Sequence, residues 1–61
     1  MLLVHIVLDS GKCMDVAVYD FVTLQSLQQN LPYWQFLRVK EIGTGKDILI
    51  RVEAIASLQE G

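Results

Sequence analysis

Leu2, Val4, Ile6 and Leu8 alternate with Leu3, His5 and Val7. After Asp9-Ser10-Gly11-Lys12, a second alternating run follows from Cys13 to Tyr19. Period-two patterning of this kind is that of strands with one buried face. The short polar link makes the two runs a hairpin, and the link length decides which side chains share a face. A two-residue turn pairs Leu8 with Cys13 and Ile6 with Asp15, which sets a carboxylate among apolar side chains. A type I turn over Leu8-Asp9-Ser10-Gly11, with Gly11 in the left-handed conformation as a bulge, pairs Leu8 with Lys12 and Ile6 with Met14. Val4 then meets Val16 and Leu2 meets Val18. Only this register gathers Leu2, Val4, Ile6, Leu8, Met14, Val16 and Val18 on one face, because a one-residue slip sends every side chain to the other side. The opposite face receives Leu3, His5, Val7, Cys13, Asp15, Ala17 and Tyr19. It is mixed rather than polar, which makes it a candidate contact surface.

Asp20 is the expected N-cap of a helix running from Phe21 to about Asn30. Phe21, Leu24, Leu27 and Leu31 recur at helical spacing and form a narrow apolar stripe, with Gln25, Ser26, Gln28, Gln29 and Asn30 on the wet side. Pro32 disfavours the helical conformation at Leu31 and ends the helix. A helix this short needs tertiary support and should lie on the apolar face of the sheet.

Tyr33–Ile42 and Lys46–Val52 read as two further strands joined through Gly43-Thr44-Gly45. A turn at Thr44-Gly45 pairs Val39 with Ile50, Leu37 with Val52 and Glu41 with Ile48. Leu37, Val39, Ile48, Ile50 and Val52 then share the buried face. Trp34, Phe36, Arg38, Lys40, Leu49 and Arg51 fall on the other. In that register Arg38 faces Arg51, an unfavourable pair unless a carboxylate such as Glu53 intervenes. The stretch Lys46–Leu58 is dense in Ile, Val and Leu, and is expected near the centre of the sheet. Beyond it, Glu53–Gln59 suits either one helical turn or a turn at Glu53-Ala54 followed by a short edge strand, and the strand is preferred. The fold class is therefore α+β: a four- to five-stranded antiparallel sheet in ββαββ order, with a short fifth strand as the further element and one helix on one face. Residues 1–61 form a single small domain.

At 61 residues such a domain buries only about 60% of the surface its unfolded chain exposes, and chains of this size commonly need a staple or a partner. Cys13 is the one cysteine and His5 the one histidine. Neither an intrachain disulfide nor a spaced zinc-ligand set can be assembled from them. Oligomerisation is the remaining device, and an apolar content of 52% agrees with it. No metal and no cofactor is expected. The net charge of −2 lacks the basic footprint of a nucleic-acid binder. The apolar opening run is shorter than a membrane span and has no basic segment before it. A soluble, cytoplasmic setting without membrane association is the expectation.

Three groups of residues invite a chemical reading. His5, Cys13 and Asp15 share a face, and Cys–His–acid is the vocabulary of a thiol nucleophile. Catalysis also needs a concave pocket and oxyanion donors, which a small sheet supplies poorly. An exposed His–Asp cross-strand pair is the plainer reading, and no enzyme activity is expected. Trp34, Phe36, Arg38, Lys40, Leu49 and Arg51 combine aromatic, apolar and cationic groups. Such a set can stack single-stranded bases, but aromatics and arginine are equally the signature of protein interfaces. The protein interface is the preferred reading, with the chain itself and a protein partner as occupants. Gly43-Thr44-Gly45-Lys46 lacks the length and the following helix of a phosphate loop, so it is a hairpin turn.

The hairpin–helix–hairpin order is similar to that of many short bacterial and phage proteins. Asp9-Ser10-Gly11-Lys12, a helix after it, and Ile48-Leu49-Ile50-Arg51-Val52-Glu53 together resemble the small uracil-DNA glycosylase inhibitors of phi29-like Bacillus phages. That resemblance implies a dimeric inhibitor of a host DNA-processing enzyme. This chain departs from it in being less acidic and in having a longer stretch between the hairpin and the last strand. The function expected from the residues is a non-enzymatic, homo-oligomeric protein-binding module. The phage-type inhibitor and the single-stranded nucleic acid binder are the alternatives.

Overall fold

The computed structural model describes all 61 residues. The first hairpin adopts the bulged register. β1 (Leu2–Leu8) and β2 (Cys13–Val18) pair Leu2 with Val18, Val4 with Val16 and Ile6 with Met14. Gly11 sits at φ +91°, a conformation in which any other side chain would be strained. The Leu8 N–H donates to the Lys12 carbonyl at 2.7 Å and closes the turn.

The helix begins later than expected. α1 spans Leu24–Asn30, capped by Thr23 rather than Asp20, with the Thr23 hydroxyl oxygen accepting from the Ser26 N–H. Both residues are competent caps. Thr23 also has a hydroxyl partner three positions on, Ser26, at 3.0 Å. Phe21 consequently lies in the connection before the helix, yet still packs on the core. Pro32 does not stop the chain at Leu31. Leu31 stays helical (φ −53°, ψ −42°), and the backbone tightens into a 3₁₀ turn over Leu31–Tyr33. The missing N–H of Pro32 is not needed at the start of such a turn. This turn takes the place of the expected start of the third strand, which begins instead at Phe36.

β3 (Phe36–Glu41) and β4 (Asp47–Arg51) pair Leu37 with Ile50, Arg38 with Leu49 and Val39 with Ile48. This is two residues away from the expected register. A loop over Ile42–Gly45 replaces the two-residue turn. It is closed by Glu41 N–H to Lys46 O and Gly45 N–H to Glu41 O, both 2.8 Å, and held by the Thr44 hydroxyl donating to the Glu41 carboxylate. Gly45 takes the left-handed conformation at φ +70°. A two-residue shift preserves the faces, so Leu37, Val39, Ile48 and Ile50 still point to the core. The shift also separates Arg38 from Arg51, which now faces Phe36.

After β4 a 3₁₀ turn at Val52–Ala54 leads to β5 (Ile55–Glu60), the strand alternative for this segment. The sheet order is β4-β3-β2-β1-β5. The Ile-rich β4 is therefore an edge strand, not the centre, and β2 is the middle of the sheet. β4 satisfies its apolar face from one side only. Leu27 and Leu31 cover the inner face, and the fully buried side chains Val4, Ile6, Val16, Val18, Leu27, Leu37 and Val39 form the core. The architecture is α+β, a five-stranded antiparallel sheet with one helix, in ββαβββ order.

Candidate functional site: the uncovered face of the sheet

One face of the sheet carries the helix. The other is assembled because β2 pairs with β3, setting Ala17 beside Lys40 and Val18 beside Val39. This joins the outward side chains of the first hairpin to those of the second. Arg38–Leu49, Phe36–Arg51 and Lys40–Asp47 are opposite one another. The hydrogen-bonded pair Glu41–Lys46 makes these three the non-hydrogen-bonded pairs, in which facing side chains approach most closely. Leu3, Phe36 and Leu49 stand 51%, 49% and 67% exposed on this face. Arg38 and Arg51 are mostly exposed, and Lys40 is exposed. Ala17 is buried on the same face, hidden between Leu3 and Lys40, its partners on either side.

Five of the six residues expected on this surface (Phe36, Arg38, Lys40, Leu49 and Arg51) lie on β3 and β4 with alternating direction. Trp34 lies beyond the strand and meets this surface at its end, beside Phe36 and Arg51. It closes the 3₁₀ turn, packs against the core, and places its ring 5.4 Å from that of Phe21. Trp34, Gln35, Phe36, Arg51 and Glu53 line a cleft of about 370 Å³ at this end of the sheet. Arg51 is paired with Glu53, the carboxylate expected to intervene at that position.

The surface gains a member from the first hairpin. The Tyr19 hydroxyl donates to Asp47, and the Arg38 guanidinium lies 5.5 Å from the Tyr19 ring centre and 3.8 Å from the Asp47 carboxylate. Alternation placed Tyr19 on the outer face of its hairpin. Nothing in the pattern showed that β2 and β3 would be neighbours, so the cluster could not be read from it. The hydrogen bond to Asp47, burial and the charge of Asp47 all push the Tyr19 phenol above its ordinary value, against a smaller opposing effect of Arg38. A raised phenol favours the neutral ring in the folded state, so the contribution of this bond holds below the ordinary phenol range. It is lost as pH rises through the folded value. Asp47→Asn, in a Tyr33→Phe background that leaves one phenol, should lower the titration midpoint read by absorbance near 295 nm. An unchanged midpoint would mean Asp47 does not govern Tyr19.

His5 and Asp15 face each other as expected, with His5 Nδ1 and Asp15 Oδ1 2.9 Å apart. Cys13 is exposed, opposite Val7. No three His, Cys, Asp or Glu side chains come together as a metal-ligand set, and no helix is long and apolar enough to cross a membrane. No protein-family model, no curated protein and no solved structure matches this chain.

Proposed function

We propose that this chain is a non-enzymatic interaction module that works as a homo-oligomer and presents the uncovered sheet face to a protein partner. The observation behind it is one-sided cover. The helix and its 3₁₀ extension lie on the inner face, while Leu3 and Phe36 remain about half exposed and Leu49 more so on the outer face, within a surround of Arg38, Lys40 and Arg51. Apolar and aromatic groups with arginines at their margin are the composition of interface centres and rims. Arg38 is engaged by Tyr19 and Asp47, and Trp34 is turned to Phe21. This leaves Phe36 and Tyr19 as the aromatic platforms on the face and disfavours base stacking.

The test has two parts. Sedimentation velocity on the wild type should show a species larger than a monomer. Affinity capture from a bacterial lysate should retain one stoichiometric protein, lost with Phe36→Asp while the far-UV circular dichroism and thermal transition stay in place. Should that protein be a DNA-processing enzyme, loss of its activity on adding the module would assign the module as its inhibitor. A monomer at every concentration together with no stoichiometric capture would overturn the proposal.

A further inference from the structure

We infer that the second copy of this chain docks along the free edge of β4, in antiparallel register about a two-fold axis through Leu49. The inference rests on the homo-oligomeric part of the function proposed above and goes further by fixing where the copies meet. β4 is an edge strand, so half of its backbone groups have no partner in the sheet. Which half follows from the loop and the strand end. Glu41 N–H donates to Lys46 O, and Val52 N–H donates to Gln35 O. Even-numbered residues of β4 thus direct their backbone groups to β3. Asp47, Leu49 and Arg51 direct theirs outward, because an antiparallel ladder alternates.

These three residues are self-complementary. With the axis at Leu49, Leu49 meets its own copy and Asp47 meets the partner's Arg51, twice. Each of these pairs joins residues whose N–H and C=O already point off the edge, so they are the hydrogen-bonded pairs of the new ladder. Ile48 meets the partner's Ile50 on the helix-covered side. Asp47, which accepts from Tyr19, and Arg51, which pairs with Glu53, retain side-chain exposures of 52% and 67%, so each has room for a further partner across the axis. Slipping the register by two residues one way sets Asp47 against the partner's Glu53, and a slip of four residues puts like charges opposite each other; both are unfavourable. The centred register is the one that sets Asp47 opposite the partner's Arg51 on both sides of the axis.

The edge also lacks the usual protection. β4 has no proline and no bulge, two of the devices that ordinarily keep edges from pairing, and its two charges, Asp47 and Arg51, are of opposite sign and so complement a second copy rather than repel it. β5, the other edge, pairs with β1 through an irregular register at Val7/Leu8 and carries charge only at Glu60, so it has no self-complementary set. A β4–β4 contact is isologous and closes as a dimer, whereas β4 on β5 would propagate. The dimer doubles the sheet and makes the two outer faces one continuous surface.

Asp47→Arg and Arg51→Asp separate this from other modes of association. In either homodimer both cross-axis pairs become repulsive. Mixing the two variants restores an opposite-charge pair at both positions. Sedimentation equilibrium should show dimerisation weakened about tenfold or more in each variant alone, and returned to within about threefold of wild type in the equimolar mixture. Leu49→Pro removes an outward N–H and no bond to β3, a position at which an edge strand tolerates proline. It should dissociate the dimer with the far-UV circular dichroism unchanged. A wild-type dimer insensitive to the charge variants, no recovery on mixing, or growth beyond the dimer would overturn edge pairing while leaving the oligomeric module standing. A wild-type monomer at every concentration would overturn edge pairing and the homo-oligomeric part of the proposed function on which it rests, leaving partner binding to be decided by the capture experiment.

Discussion

A Leu27→Ala protein should lose about 2–5 kcal/mol of stability and stand at or near the unfolding threshold at room temperature. Leu27 is the one residue of α1 that is fully buried. The helix has seven residues, far below the length at which a helix holds in water by itself. Its place on the sheet therefore depends on this side chain, together with Leu31 in the 3₁₀ extension. Truncation leaves a cavity in the buried cluster that also holds Val4 and Leu37. A chain of 61 residues has a total stability on the order of 3–9 kcal/mol, so the loss is a large share of the whole. Urea unfolding followed by circular dichroism measures it directly. Leu24→Ala, at a partly buried position of the same helix, should cost about 1 kcal/mol, within the ordinary range for single substitutions. A loss under about 1 kcal/mol at Leu27 would mean that the helix does not hold the inner face closed.

The two hairpins show why one part of the fold was legible and another was not. In the first, the wrong turn would have buried Asp15 in an apolar face, so side-chain chemistry alone selected the register and the position of Gly11. In the second, the competing turns differ by two residues, and both leave Leu37, Val39, Ile48 and Ile50 on the core side. Apolar alternation has no power to separate registers of the same parity. What decided it was local: Gly45 in the left-handed conformation, and a Glu41 side chain within reach of the Thr44 hydroxyl. The unfavourable Arg38–Arg51 pairing was a visible warning against the shorter turn. The placement of β4 failed for a different reason. A run rich in Ile and Leu indicates a strand with a well-covered face, but not how many neighbours flank it. The candidate surface followed the same division. Phe36, Arg38, Lys40, Leu49 and Arg51 were given by alternation within strands. Trp34 lies past the strand end, where the 3₁₀ turn interrupts the alternation, and so reaches the surface only at the cleft beside Phe36 and Arg51. Tyr19 reached the surface only through the β2–β3 pairing.

Val16→Asp and Leu49→Asp test that order of strands, with opposite expected results. Val16 is fully buried on the central strand, between Val4 on one side and Glu41 on the other. A carboxylate there has no donor and lies beside an existing acidic side chain, so the folded state should lose several kcal/mol, enough to unfold the chain at neutral pH. Burial raises the pKa of the introduced group in the folded state above its unfolded value. The penalty is then full above the folded value and shrinks as pH falls through it, so partial recovery of structure on mild acidification is expected. Leu49 is 67% exposed on an edge strand, so its substitution should change the stability of the monomer fold by no more than about 0.5 kcal/mol, while a carboxylate facing its own copy across the two-fold axis opposes dimerisation. Far-UV circular dichroism across pH distinguishes the two variants. If Leu49→Asp unfolded the protein and Val16→Asp did not, β4 rather than β2 would hold the middle of the sheet, and the free edge on which the dimer is built would not exist.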